Sequence, residues 1–307
     1  MSTIPSTVRI TEVGPRDGLQ NQPGTIPTDV KVRLVDALSA SRPAEIEVSS
    51  FVSPKWVPQL ADAADLLARI KRVPGIVYSV LVPNMQGLEG ALQAEVEKIS
   101  VFTAASETFN RRNVNATIDE SIVRFVPVIA EAKKAGKQIR GYISCAIACP
   151  YEGPVDPQQV AEVSRHLVDA GVDEIDLGDT IGVAVPSDID RLYDAVGTVV
   201  EPAATTLHMH DTRGTGLACI VRAMELGVAR FDCSVGGLGG CPYAPGAAGN
   251  IATEDVVYCL HRMGIDTGID FDQLIEAGRV IAAHLAGEGR SLPGRMFNAR
   301  CAAQGLP

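Results

Sequence analysis

The chain has 307 residues, 46 % of them hydrophobic and 21 % charged, with a formal net charge of −10. Such a chain can bury a large core, which excludes intrinsic disorder, and its 29 Gly and 19 Pro follow no short period, which excludes a collagen-like polymer. The acidic balance argues against nucleic acid as the main partner, since phosphate binding wants clustered Lys and Arg, but it leaves room for an anionic small molecule met by a local basic group.

Residues 1–7 have neither a basic start nor an apolar run, so no secretory signal is read there. The first strand is predicted at Val8–Glu12, and the turn Gly14-Pro15 after it delivers Arg16 and Asp17. A helical pattern over Thr28–Ser39 leads to a strand at Glu45–Ser49, with Glu47 near its end. Helical periodicity at Val57–Arg69 is followed by strands at Val77–Val82 and Lys98–Thr103, a helix at Ile118–Ala135 and a strand at Ile139–Cys145. Next come a helix at Pro157–Ala170, a strand at Glu174–Gly178 with Asp179 just past it, and a helix at Pro186–Val199. The strand Thr205–His210, the helix Gly216–Leu226 and the strand Arg230–Val235 complete the series. A glycine-rich loop at 236–250 then precedes helices at Ile251–Met263 and Phe271–Ala286 and a loose tail. Gly136, Gly171 and Gly227 each sit just past a helical pattern and read as stop signals.

Eight alternating strand–helix units with no linker predict one α/β domain over 1–307, a closed (β/α)8 TIM barrel with an extra C-terminal helix. An open doubly wound sheet is the runner-up, weakened because no strand is followed by GxGxxG or a Walker loop. No window approaches the about 20 uninterrupted apolar residues of a membrane span, so no membrane partner is expected. Seven cysteines without a paired CxxC framework suggest free thiols in a reducing cytoplasm. Cys145 and Cys149, four apart before a Cys-Pro turn, read as buried thiols rather than metal ligands.

In this architecture chemistry belongs at the C-terminal ends of the strands. Arg16 and Asp17 are either a surface charge pair or two groups delivered to the mouth. His208 and His210 are two apart in a strand, so both rings share one face with Cα atoms about 6.5 Å apart, and two such imidazoles can grip one ion. The plainer alternative is one polar filler and one core histidine. The loop 236–250 holds six glycines and Cys241. Ordering it costs conformational entropy, which suggests a lid or a close backbone approach to a ligand. Asn250 is either the N-cap of the next helix or a further oxygen donor. With Glu47 and Asp179 near the same mouth, these groups form a convergent polar set. Asp17, His208, His210 and Asn250 would offer two oxygens, two nitrogens and no thiolate. That favours Mg²⁺ or Mn²⁺, with Zn²⁺, Co²⁺ or Fe²⁺ as alternatives.

The stretches 12–21 (EVGPRDGLQN), 50–58 (SFVSPKWVP), 140–145 (RGYISC), 149–153 (CPYEG) and the whole 236–250 loop resemble the 3-hydroxy-3-methylglutaryl-CoA lyase family. The resemblance runs from Thr11 to about Gly278, and the glycine-rich loop with Cys-Pro-Tyr is its most specific part. It implies a metal-dependent retro-Claisen cleavage of an acyl-CoA to acetyl-CoA and acetoacetate, as in leucine breakdown and ketone-body formation. It implies Asp17, His208, His210 and Asn250 as ligands of a divalent metal and Arg16 as the catalytic arginine. Glu47 and Asp179 become acidic site residues and Cys241 the lid cysteine, with Cys241 or His208 as candidates for returning a proton to the enolate. Animal members carry Tyr after the HxHDT motif where this chain has Arg213, and this chain's ending differs from the animal tail, so a bacterial cytoplasmic enzyme is expected. The implied partner is a small acyl-CoA, with a homo-oligomer left open. Alternatives are a lyase for a related thioester such as citramalyl-CoA or a longer branched 3-hydroxyglutaryl-CoA, a condensing synthase, and a non-catalytic barrel.

Overall fold

Alternation along the strands divides polar from apolar side chains around a closed ring. The computed structural model describes residues 4–20, 22–240 and 249–303. Its parallel strands are β1 Arg9–Glu12, β2 Glu45–Ser50, β3 Val77–Leu81, β4 Lys98–Ala104, β5 Gln138–Ser144, β6 Glu174–Asp179, β7 Thr205–Met209 and β8 Arg230–Cys233. Each pairs with its sequence neighbours, and β8 closes on β1 with Ile10 opposite Phe231. This is the predicted barrel.

Ile10, Ile46, Val80, Ile99, Ile139, Leu177, Leu207 and Phe231 are buried in the main apolar cluster, the layer between strands and helices. The alternate positions are polar and also buried: Thr11, Glu45, Glu47, Ser79, Lys98, Arg140, Tyr142, Glu174, Asp176, Thr206, His208 and Asp232. The interior is therefore filled by charges and hydroxyls rather than by branched aliphatics. In its lower part the Lys98 ammonium contacts Glu45 at 2.9 Å and Glu174 at 2.8 Å. Arg140 reaches Glu174 at 2.7 Å, Asp232 at 3.0 Å and Glu45 at 3.2 Å.

The helices are α1 Thr28–Ser41, α2 Ala63–Arg69, α3 Met85–Gln93, α4 Glu107–Val114, α5 Ile118–Lys134, α6 Pro157–Asp169, α7 Pro186–Val196, α8 Gly216–Glu225, α9 Thr253–Arg262, α10 Phe271–Ala286 and α11 Arg295–Ala303. Their ends follow local chemistry. Thr117 and Glu120 form a reciprocal capping box on α5, and Asp156 caps α6 ahead of Pro157. The three predicted glycine stops all have positive φ.

Several expectations need correction. β2 runs on to Ser50 with a register shift between Glu47 and Ser49, so Glu47 lies within the strand and not at its end. The pattern Val57–Arg69 is two pieces, a 3-10 turn Pro58–Leu60 and then α2. α3 escaped the periodicity reading because Gly87 and Gly90 lower its propensity; a Cβ on Gly90 would lie 2.6 Å from the Phe51 ring. α4 is almost wholly polar, so it has no apolar stripe to read. Part of the expected loose tail is α11, which buries Phe297 and Cys301 one turn apart. A two-stranded hairpin, Ala148–Cys149 with Gly153–Pro154, follows β5, and Cys145 and Cys149 are both buried.

Candidate functional site

Beyond β1 the chain winds into a wide turn, Gly14–Gly18, in which the Val13 carbonyl accepts from the N–H groups of Arg16, Asp17 and Gly18. Such π-type turns are frequent at functional sites. The turn sits so close to the β8 loop that a Cβ on Gly18 would lie 2.9 Å from the Leu238 carbonyl oxygen. It carries Arg16 inward, 6 % exposed, which removes the surface-pair reading. Arg16 Nε donates to Glu47 Oε2 at 2.5 Å and a terminal nitrogen donates to Asp17 Oδ1 at 2.6 Å. The guanidinium also lies 5.4 Å from the centre of the Tyr142 ring.

His208 and His210 stand on one face, as their spacing predicts, with ring centres 5.4 Å apart. Asp17, His208 and His210 each offer a ligand atom, and those atoms lie within 4.8 Å of one another. Asn250 joins them. α9 begins at Thr253 with Ala252 at its N-cap, so Asn250 is not the cap; it bridges to His210 in a short antiparallel contact. Its Nδ2 donates to Asp17 Oδ2 at 2.8 Å, while its buried Oδ1 has no hydrogen-bond partner. Nδ1 of His210 is likewise buried without a partner.

The electrostatics hold Asp17 and His210 in ligating form, while Asp232 and Asp17 raise His208 against its burial. Burial opposes the charge on Asp17, but Arg16, the two histidines and the Asn250 amide outweigh it and hold the carboxyl at about 2. Burial and the neighbouring His208 push His210 down to about 4, so its imidazole is neutral at pH 7. Burial raises Glu47 despite Arg16. One carboxylate, two imidazoles and an amide oxygen, with His210 Nδ1 and Asn250 Oδ1 left without partners, fit a divalent cation.

The remaining predicted residues are placed differently. Asp179 ends β6 and accepts from the backbone N–H groups of Val183 at 3.2 Å and Ala184 at 2.8 Å, shaping the loop after the strand. Arg213 donates to the carbonyls of Ile181 and Gly182 in that same loop. Cys241 and most of the loop expected to act as a lid lie outside the described residues. Sequence reading missed Tyr142 and Asp232. The Tyr142 hydroxyl lies 3.2 Å from Glu47 Oε2 and 3.1 Å from Asp232 Oδ2, and Asp232 Oδ2 lies 3.1 Å from His208 Nδ1. A signal existed: an acidic residue between Phe231 and Cys233 in a strand must face a polar interior. Also unread was Glu12, whose buried carboxylate accepts from Gly14 N–H, Val235 N–H and the Thr253 hydroxyl at 2.6–2.9 Å.

The family model described as HMGL-like matches residues 7–281. The 3-hydroxy-3-isohexenylglutaryl-CoA/hydroxy-methylglutaryl-CoA lyase of Pseudomonas aeruginosa is 51 % identical over 282 residues, 92 % of this chain and 94 % of that protein. The mitochondrial hydroxymethylglutaryl-CoA lyase of Rattus norvegicus is 50 % identical over 301 residues, 98 % of this chain and 92 % of that protein. A crystal structure of hydroxymethylglutaryl-CoA lyase from Pseudomonas aeruginosa superposes with a TM-score of 0.94 at 49 % identity, covering 98 % of this chain and 99 % of that one.

Proposed function

Because the chain belongs to the HMGL-like family, we propose that its barrel mouth cleaves 3-hydroxy-3-methylglutaryl-CoA to acetyl-CoA and acetoacetate. The observation that carries the reading is the Asp17–His208–His210–Asn250 group, half-buried at Asp17, with orphaned acceptors beside a pinned arginine. Those four residues would hold a divalent cation, Mg²⁺ or Mn²⁺ from their oxygen and imidazole donors without thiolate. When bound, such an ion lowers the pKa of an alcohol it coordinates and fixes its orientation.

The chain's own groups supply the rest. The substrate's tertiary alcohol loses its proton, the neighbouring C–C bond breaks with its electrons passing to the thioester enolate, and one proton returns to the enolate carbon. Arg16 is the group that stabilises the enolate oxygen. Its Nε is taken by Glu47 and one terminal nitrogen by Asp17, so the second terminal nitrogen is aimed without rotamer freedom. Glu47 therefore acts on the reaction by orienting Arg16. Asp179 shapes the loop that Arg213 clamps, and a ring nitrogen of His210 hydrogen-bonds the backbone of Thr180 in that loop. Cys241 is assigned the returned proton by resemblance alone. The chain acts as one catalytic unit in a reducing cytoplasm, consistent with Cys145, Cys149, Cys219, Cys233, Cys259 and Cys301 all being free.

A second reading is a lyase for longer branched 3-hydroxyglutaryl thioesters, favoured by the name of the 51 % identical Pseudomonas protein. A coupled assay across hydroxymethylglutaryl-, citramalyl- and isohexenyl-branched thioesters separates them. Turnover of the first supports the proposal, and turnover of another with none on the first overturns it.

A further inference from the structure

The parallel ladder between β7 and β8 sets His208 directly opposite Asp232. Both side chains point into the barrel, and Asp232 is 1 % exposed. Three donors hold its two oxygens, and the Asp176 carboxyl lies beside them. Oδ1 accepts from Arg140 at 3.0 Å; Oδ2 lies 3.1 Å from the Tyr142 hydroxyl and 3.1 Å from His208 Nδ1. Arg140 is itself fixed by Thr11 at 2.9 Å, Glu174 and Glu45, so the carboxylate cannot swing away. A neutral imidazole carries one N–H and one lone pair. With its Nδ1 facing a carboxylate, the proton of His208 belongs on Nδ1 and the lone pair on Nε2.

We propose that Asp232 is a positioning residue for the reaction: it fixes the tautomer and ring orientation of His208, and the buried Arg140 and Tyr142 hold Asp232 in place. A carboxylate behind a ligating imidazole raises its basicity, and losing such a partner typically costs about 10–100-fold in metal affinity. The polar barrel interior thus acquires a use, because its charges form a continuous support from Lys98 and Glu174 at the bottom, through Arg140, to the site at the mouth. This inference rests on the metal reading above.

The test uses the full chain with Mg²⁺ for spectroscopy and Mn²⁺ for affinity. In protein labelled with ¹⁵N-histidine and loaded with Mg²⁺, long-range ¹H–¹⁵N spectra are expected to show the His208 proton on Nδ1, its signal assigned by its loss in His208→Asn. The Asp232→Asn variant is expected to bind Mn²⁺ about 10–100-fold more weakly, read from the free-ion electron paramagnetic resonance signal. A proton on Nε2 of His208 overturns the proposal, even where Asp232→Asn fails to fold, because the tautomer is read in the wild type. Unchanged Mn²⁺ affinity in folded Asp232→Asn overturns it as well. Wild-type protein that binds no stoichiometric Mn²⁺ overturns the metal reading itself, and this inference with it.

Discussion

A pinned cation and a set of unpartnered acceptors meet at Arg16 and Asp17. Arg16→Met removes the fork that faces the enolate together with its contacts to Glu47 and Asp17, and the loss of one such stabilising donor set typically costs about 10²–10³ in kcat. The expected result in steady-state kinetics is that loss with KM little changed; a near-wild-type kcat would remove Arg16 from the mechanism. Asn250→Ala deletes the orphaned Oδ1 and frees Asp17 Oδ2. If Asn250 donates directly, Mn²⁺ affinity falls by no less than the about 10–100-fold seen for outer partners. Equilibrium dialysis showing unchanged affinity would return Asn250 to a structural role. At this scale the sequence was readable where chemistry is local. Arg16 with Asp17, and His208 with His210, declare themselves by spacing along one strand or turn. Asp232 and Tyr142 did not, because their partners lie 24 and 95 residues away and meet only through barrel register.

Elements carry the site through two backbone devices. One is the buried acid pair under the mouth: Glu12 ties β1, the start of the β8 loop and α9 together, and Glu254 accepts from the Gly236 N–H. Burial raises Glu12 to about 7 and Glu254 to about 8. Acids whose folded pKa is raised favour the folded state fully below their unfolded value near 4.5, and that contribution is lost as pH climbs through 7 and 8. Thermal melting should therefore show Tm falling from about pH 4.5 to about pH 8 and levelling above it, and Glu254→Gln should remove much of that fall. An unaltered slope would contradict the assignment. The other device is the loop after β6. Gly182 has φ +60°, and an added Cβ would lie 2.8 Å from the His210 carbonyl and 2.6 Å from Thr212 Oγ1. Gly182→Ala should cost about 1–3 kcal/mol of stability by chemical denaturation and weaken Mn²⁺ binding through His210. Equal stability and affinity would mean the loop does not bear on the site. Strands were legible because Ile10, Ile46 and Phe231 alternate with polar neighbours. The split of Val57–Arg69 at Pro58 and the glycine-bearing α3 were not, since both are fixed by contacts with distant Gly24, Ile26 and Phe51.

The whole molecule is a barrel whose interior is charged. Period-two alternation and eight repeats made the architecture readable, but alternation alone cannot say that the inward set is a connected ion network. Breaking a buried pair by deleting one member leaves uncompensated charge and typically costs about 3–5 kcal/mol. Arg140→Met should lose that much in urea unfolding, because Glu45, Glu174 and Asp232 all depend on it; a loss under about 1 kcal/mol would mean the network is not a structural spine. The central claim is that a single dication at Asp17, His208, His210 and Asn250 is required for cleavage of the thioester. Chelator-stripped protein should be folded but inactive on 3-hydroxy-3-methylglutaryl-CoA, and a titration with Mn²⁺ should restore turnover with a break at about one equivalent per chain. Full-rate cleavage by the stripped protein would contradict the account.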